Sequence, residues 1–167
     1  MNEQSKKLIA DALHDAGIRC VVIMPDSLSS QILSKTHFQN NKIELLQVQN
    51  ENDAIAISSG RNLTGDLTVC VMENSGIRYG CEMITRFETI QGLHNIYILS
   101  WRGTIGERNW WAMFHDLNTK SIIENLRFKV ICVKDKSDFK LALTHAVVSF
   151  LSEQVSVALI LEKHFFE

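Results

Sequence analysis

The 167-residue sequence contains one proline, Pro25, and has no repeat, linker or low-complexity stretch. It lacks any apolar run near the ~20 residues that a membrane-spanning helix needs. Its N-terminus, MNEQSKKLIADALHDAG, is charged and amphipathic, unlike a secretory signal. Its net charge is -2, with both signs interspersed, so it lacks the basic face that binds nucleic acid. These absences predict a cytoplasmic globular protein with a single domain over residues 1–167.

Common nucleotide-binding, catalytic and metal-binding motifs are also absent. The sequence has no GxGxxG after a strand-like run, no GxxxxGK[ST] phosphate loop and no GxSxG, which disfavours a dehydrogenase, a kinase or a hydrolase. Its four cysteines form no CxxC motif, so a zinc site is not expected. Cys20, Cys70 and Cys132 lie in apolar runs, where we expect reduced thiols packed as small hydrophobic side chains.

Short apolar runs alternate with longer amphipathic segments along the chain. Runs that are almost continuously apolar are typical of strands buried on both faces, as in a parallel sheet covered by helices. The sequence therefore predicts an α/β fold, a doubly wound three-layer sandwich with a mostly parallel six-stranded sheet. The predicted strands are 20–24, 43–48, 67–72, 95–100, 128–133 and 155–161, and the predicted helices are 3–16, 27–36, 51–63, 78–91, 119–125 and 137–152.

Ligands of such folds bind at the carboxyl ends of the strands, so the segments that follow the strands are the candidate site. Glu51 opens the helix after the second strand, where an acid would also be explained by the helix dipole alone. Asp26 follows the first strand, either as a helix cap beside Ser27 or as an acid at the rim. Gly76, after the third strand, would let the backbone approach a ligand closely or belong to a plain turn.

The segment after the fourth strand, WRGTIGERNWWAMFHDLN at 101–118, is unusually long for a connection. Its neighbouring tryptophans argue against plain disorder. We expect Trp101, Trp110, Trp111 and Phe114 to cover a ligand or to meet another chain; the alternative is that they fold onto their own core.

Four basic side chains near this rim are further candidates. His115 would act as an acid–base group or have a structural role. Arg78, Arg102 and Arg108 would hold an anionic substrate or be solvated.

Four of these segments together resemble one family. They are PDS after the first strand, VQNENDAIAISSGRNLTG around the third helix, VMENSG after the third strand and ILSWRGTIGE after the fourth. The combination is similar to the alpha subunit, or N-terminal pyrimidine domain, of sulfopyruvate and phosphonopyruvate decarboxylases, which are thiamine-diphosphate enzymes. The resemblance runs from about Gly17 to Leu126.

The resemblance implies roles for particular residues. Glu51 would be the glutamate that hydrogen-bonds N1′ of the cofactor's aminopyrimidine and shares a proton with it. Asn74, Ser75 and Gly76 would line the pyrimidine pocket. Asp26 would assist proton transfer near the substrate. The position of the other candidates at the rim, rather than the resemblance, would give His115 a part in proton transfer and Ser27, Arg78 and Arg102 a part in substrate binding.

The chain departs from the family pattern in several places. Glu73 stands where the family has the glutamine of QNSG, and Ile77-Arg78-Tyr79 replaces L-G-N. The chain also lacks the GDG motif and downstream asparagine that hold the diphosphate and Mg²⁺; Thr64-Gly65-Asp66-Leu67 is similar but precedes a strand. The resemblance therefore implies a separate beta subunit that carries the diphosphate and Mg²⁺ site, in a heterotetramer or larger assembly.

The function expected from the resemblance is that of the alpha subunit of a thiamine-diphosphate-dependent decarboxylase acting on a small anionic 2-oxoacid. Such a subunit would be active only with its partner. Two alternatives remain open from the sequence. One is a carboligase subunit, and the other is a non-catalytic relative that acts as an interaction module.

Overall fold

The computed structural model describes all residues from Met1 to Glu167 and confirms the predicted α/β architecture. Six strands form one parallel sheet in the order β2-β1-β3-β4-β6-β5. The strands are β1 (Cys20–Ile23), β2 (Glu44–Gln47), β3 (Thr68–Glu73), β4 (Ile96–Ser100), β5 (Lys129–Val133) and β6 (Val157–Leu161).

Helices cover both faces of the sheet. They are α1 (Glu3–Asp15), α2 (Lys35–Asn40), α3 (Glu51–Leu63), α4 (Asn74–Tyr79), α5 (Cys81–Met83), α6 (His115–Asn125), α7 (Phe139–Glu153) and α8 (Lys163–Phe166). One apolar core joins the sheet to α1 and α7, and a second joins its other face to α3, α4 and α6. The three layers explain the nearly continuous apolar strands, because each central strand is buried on both faces.

The helix α3 has the bounds that its sequence predicts, and its N-terminus is capped locally. Asn50 Oδ1 accepts a hydrogen bond from the Asp53 backbone nitrogen at 2.9 Å, and Asn50 Nδ2 donates to Asp53 Oδ2 at 2.6 Å. Asn50 and Asp53 therefore cap the first turn of α3 through hydrogen bonds to each other. Glu51, also in this turn, has no part in the cap.

Three predicted helices differ from the structure. The predicted helix 27–36 is a 3₁₀ turn (Ser29–Ile32) and the separate helix α2, because Leu33 is extended between them. The predicted helix 78–91 begins earlier, at Asn74, and includes a π-helical turn (Ile84–Thr89). The predicted helix 119–125 begins at His115, so the long segment after β4 is shorter than expected.

One prediction about the cysteines is wrong, and it concerns Cys132 in the edge strand β5. Cys132 is exposed rather than packed, because β5 is an edge strand that pairs only with β6. Val130, two residues earlier in β5, is also exposed. Cys20 and Cys70 are buried as expected, and all four cysteines are free. None of the helices is long and apolar enough to cross a membrane.

A buried polar cluster lies at the amino ends of the central strands, around the π-helical turn. Glu88 is 1% exposed and contacts Ser59 Oγ at 2.6 Å, the Tyr97 hydroxyl at 2.7 Å and Asn95 Nδ2 at 3.1 Å. Asn95 also bonds to Ser58 Oγ at 2.5 Å. No cation belongs to this cluster, so burial raises the pKa of the Glu88 carboxyl. Glu88 therefore joins α3, the π-helical turn and β4.

We predict that Glu88→Gln gains stability relative to the wild type as the pH rises. A raised pKa means that folded Glu88 holds its proton more tightly than the unfolded chain does. Its contribution is complete below its ordinary pKa of 4.5 and is lost as the pH rises through the folded-state pKa. The difference in unfolding free energy should grow in favour of the glutamine by at most about 1.4 kcal/mol per pH unit.

Urea unfolding of both proteins at pH 5, 6.5 and 8 measures this difference. Glu124→Gln, on the exposed face of α6, is the matched control and should show no such trend. A difference between Glu88→Gln and the wild type that stays constant over this range would contradict a protonated Glu88.

Candidate functional site

The order of the strands places the candidate site at the carboxyl ends of β1, β3 and β4. Connections from β1 and from β3 lead to opposite sides of the sheet, so a crevice forms between these two strand ends. The predicted site segments after β1 and β3 meet there, and the segment after β4 lies beside them.

The turn after β1 is held by Asp26. Its Oδ1 atom accepts hydrogen bonds from the backbone nitrogens of Leu28 at 2.7 Å and Ser29 at 3.1 Å. Its Oδ2 atom accepts a hydrogen bond from Ser100 Oγ at 2.9 Å, which ties this turn to the end of β4. All three bonds stabilise the carboxylate, so Asp26 acts as a cap here, one of the two predicted alternatives.

Asn74 joins the ends of β3 and β4 and is completely buried. Its Nδ2 donates to the carbonyl oxygen of Arg102 at 3.0 Å, and its Oδ1 accepts from the backbone nitrogen of Arg102 at 3.2 Å. The hydroxyl of Thr119, on α6, donates to the Asn74 carbonyl at 3.1 Å. The Asn74 side chain is thus committed to the protein's own backbone, and Ser75 and Gly76 are the neighbours that remain for a ligand.

Arg102 is buried and its charge is compensated. Its Nε donates to Glu73 Oε2 at 2.8 Å, and its Nη2 donates to Ser27 Oγ at 2.5 Å. The guanidinium also lies over the Trp111 ring, 5.2 Å from the ring centroid. A guanidinium in this position connects the ends of β1, β3 and β4 through one charged group.

Gly103 brings the start of α6 against the turn after β4. Its φ is +89°, and an added Cβ would lie 2.6 Å from the Ala112 carbonyl oxygen and 2.7 Å from the Asp116 backbone nitrogen. Both neighbours are backbone atoms, so only glycine fits. Trp101 is buried with its Nε1 donating to Asp116 Oδ1 at 2.6 Å, which corrects the expectation that it covers a ligand or another chain.

His115 is buried in the first turn of α6 and faces Glu73. Its Nδ1 lies 3.3 Å from Glu73 Oε1, within ion-pair distance, but the alignment is too poor for a hydrogen bond, so Nδ1 is buried without one. The Ser75 hydroxyl donates to the same Glu73 oxygen at 2.8 Å. Burial and the nearby charge of Arg78 lower the pKa of His115, and Glu73 opposes them.

Glu51 and Gly76 are in contact across the crevice. Glu51 is half-buried at the N-terminus of α3, and a Cβ added at Gly76 would lie 2.7 Å from Glu51 Cγ and 2.6 Å from Met72 Sδ. The absence of a side chain at Gly76 therefore leaves the space that Glu51 occupies.

The structure brings most predicted site residues together and adds others. Asp26, Ser27 and Arg102 form one connected group with the ends of the strands. Sequence reasoning missed Glu73 as the partner of Arg102 and His115, although its departure from the family's glutamine was a signal. It also missed Thr119, for which the sequence carries no signal. The WRG segment pointed to Gly103, but not to its close approach to α6.

No cluster of three or more His, Cys, Asp or Glu side chains in the structure is arranged to hold a metal ion. The carboxylates of Asp26 and Glu73 are instead bonded to arginine, serine or backbone groups. Any metal at this site would need ligands from elsewhere.

Comparison with family models and with curated protein sequences gives no match. Among solved structures, the chain is similar to 2-oxoglutarate:ferredoxin oxidoreductase from Magnetococcus marinus with 2-oxoglutarate, coenzyme A and succinyl-CoA bound. The TM-score is 0.74 and the sequences are 13% identical over 97% of this chain. The chain spans 29% of that oxidoreductase chain, and the likeness shows a shared fold.

We predict that Asn74→Ala destabilises the protein strongly. It would leave the backbone N–H and C=O of Arg102 without partners in a buried position, which costs about 1–3 kcal/mol for each group. Chemical denaturation measures the loss of unfolding free energy. Ser75→Ala, which removes the bond from the neighbouring hydroxyl to Glu73, should cost less than Asn74→Ala. Equal losses would contradict the role of Asn74 in joining the strands.

Proposed function

We propose that the chain is the pyrimidine-binding subunit of a thiamine-diphosphate-dependent enzyme that decarboxylates a small anionic 2-oxoacid. The observation that carries this proposal is the state of Glu51. Asn50 and Asp53 cap α3, so Glu51 is not needed for the cap. Its carboxylate lies half-buried at the crevice without a hydrogen bond or an ion pair inside the chain.

An aminopyrimidine is the group that we place in the crevice. Glu51 offers a carboxyl oxygen to a ring nitrogen, and Gly76, which has no side chain, lets Glu51 pack against the backbone there. Thiamine diphosphate supplies an electron sink for the carbanion left when carbon dioxide departs from a 2-oxoacid. Glu51 would hold the ring and share a proton with its nitrogen, a task that a carboxyl performs and an amide does not.

Other residues would position the substrate and move protons. Arg78 is a partly buried rim arginine without an ion pair, so it would bind the substrate's negative charge. His115 is buried, and burial and the charge of Arg78 lower its pKa; it would be the proton-transfer group beside the substrate. Asp26, Ser27 and Arg102 would fix the shape of this rim through their mutual bonds.

The substrate class is supported by the shared fold. The oxidoreductase of that fold was solved with 2-oxoglutarate and succinyl-CoA, and the succinyl group is 2-oxoglutarate without the carbon of one carbon dioxide. The same comparison favours a second candidate function, in which the chain belongs to a 2-oxoacid oxidoreductase rather than to a decarboxylase. Assays with and without an electron acceptor distinguish the two.

A separate partner subunit would complete the site. The chain spans 29% of the oxidoreductase chain and lacks the GDG motif, so the Mg²⁺ and diphosphate groups would be held by that partner. The surface next to the site is strongly apolar: Trp110 is 81% exposed, Phe114 67% and Leu117 64%. We call Trp110, Trp111, Met113, Phe114 and Leu117 the tryptophan ridge. An exposed apolar patch of this kind is typical of a protein interface.

The cleft nearest to this rim is not the site that we assign. It measures about 270 Å³ and is lined by Leu28, Arg102, Arg108 and Lys163 among others, but not by Glu51. A site shared between two subunits is an open surface on each of them and becomes enclosed when they meet. We therefore place the ring at Glu51 and Gly76.

Glu51→Gln should lower turnover by about 10² or more, the usual scale for loss of a proton-transfer group. The assay follows loss of carbon dioxide from a panel of 2-oxoacids, with thiamine diphosphate and Mg²⁺. It uses the chain co-expressed with the product of a neighbouring reading frame that carries a GDG motif.

Asp53→Asn is the matched control for Glu51→Gln, because Asp53 lies in the same helical turn but only caps it. This variant should keep turnover within a few-fold of the wild type. Near-normal turnover in Glu51→Gln would remove the proposed function.

Gly76→Ala should weaken thiamine diphosphate binding by the co-expressed complex by at least about tenfold, because the new methyl group would displace Glu51. Isothermal titration calorimetry measures the dissociation constant. Gly60→Ala is the matched control, since Gly60 lies in α3 with nothing within 4 Å of an added Cβ. It should leave binding unchanged and stabilise the helix by about 0.5–1 kcal/mol. Equal binding by the two variants would contradict the placement of the ring.

A further inference from the structure

Arg78, in α4, is a partly buried cation at the rim that nothing in the chain balances. Its guanidinium makes no ion pair, and its buried Nε atom makes no hydrogen bond. Arg102 nearby has Glu73, Ser27 and the Trp111 ring as partners. A partly buried cation without a partner is costly, so its presence indicates an anion that arrives from outside the chain.

The charged groups that face His115 come from three elements. Glu73, at the end of β3, lies 3.3 Å from Nδ1. Arg78 and Arg102 contribute positive charge from α4 and from the turn after β4, and both lower the pKa of His115. Trp111 covers the imidazole, with 5.7 Å between the ring centroids. Asp116, the next residue of α6, is paired with Trp101 and Lys120.

These contacts indicate which nitrogen of the His115 ring carries the proton in the neutral form. In neutral His115 the proton belongs on Nδ1, because Nδ1 faces the Glu73 carboxylate, and Nε2 is then the proton acceptor. Glu73 therefore acts as a positioning residue, since it selects the tautomer. The glutamine of the family pattern would carry no charge at this position and would not favour a protonated ring.

We propose that Arg78 anchors an anion-binding site, and that occupation of this site makes His115 take up a proton from solvent at Nε2. The physical basis is electrostatic. An anion at Arg78 offsets the positive charge that disfavours the imidazolium, whereas Glu73 continues to favour it. Binding and protonation are then linked, so each strengthens the other by the same free energy.

The ligand class is a small compound with a carboxylate, sulfonate or similar monoanionic group. The identification of this anion with the charged group of the substrate rests on the proposed function. The existence of the anion site does not rest on it. A 2-oxoacid bound there would arrive with His115 protonated and ready to donate a proton to a carbanion after decarboxylation. The alternative source of an anion is an acidic side chain of the partner subunit.

The test is a pH titration of His115 in the full isolated chain by NMR, with inorganic sulfate as the probe. Sodium chloride at the same ionic strength corrects for screening. Sulfate should raise the pKa of His115 by about half a unit or more, the scale expected when a nearby charge is offset. It should also bind more tightly at pH 6 than at pH 8.

Three variants separate the proposed roles. Arg78→Gln should raise the pKa of His115 without sulfate and abolish the sulfate-dependent shift, whereas Arg78→Lys should retain part of that shift. Glu73→Gln should lower the pKa of His115 and leave the response to sulfate in place. Arg86→Gln is the matched control, because Arg86 is exposed and paired with Glu82. Its loss should change neither the pKa of His115 nor the shift of that pKa in sulfate. A dispersed amide spectrum shows that each variant is folded.

An unchanged His115 titration in sulfate, or a shift that survives Arg78→Gln, would overturn the proposal. A shift that requires the partner subunit would assign Arg78 to a partner carboxylate and would equally overturn a small-anion site. The titration uses no thiamine diphosphate and no turnover. Its failure is therefore separate from a failure of the Glu51→Gln test of the proposed function.

Discussion

The buried ion pair between Arg102 and Glu73 is the interaction on which the rest of the rim depends. Arg102 follows β4 and Glu73 ends β3, and the same guanidinium reaches Ser27 after β1. Two charges withdrawn from water in this way are tolerated because each has a close partner, and removal of either would leave the other uncompensated. The pair therefore fixes three strand ends at once, and Gly103 then lets α6 approach and place His115 beside Glu73.

This constraint divides the polar residues of the rim into two groups. Asp26, Asn74 and Arg102 bond to the chain itself, so they shape the crevice. Glu51 and Arg78 have no such partners, although both are partly shielded from water. Charged side chains in that state are costly unless a ligand or another chain completes them, and for this reason the proposed cofactor and anion sites are placed at these two residues.

The opposite end of the sheet has a polar cluster of a different kind. Glu88 is surrounded by hydroxyl and amide groups that satisfy it fully, and nothing there is left for a ligand. The cluster holds a π-helical turn against α3 and β4. π-Helical turns often lie at functional sites, but here the hydrogen bonds of Glu88 give this turn a structural role.

The sequence by itself determined the six strands, the α/β class and the bounds of α3, and it predicted a candidate site at the strand ends. Apolar runs, capping residues and the PDS, ENSG and WRG segments are local signals, and they act within a few residues. Only the tertiary structure decided that Trp101 is buried, that Cys132 is exposed, that Glu73 pairs with Arg102 and His115, and that Arg78 has no partner. Those facts depend on which strand ends are neighbours in the sheet and on how closely α6 approaches Gly103. Such contacts join residues far apart in the chain, which no local pattern encodes.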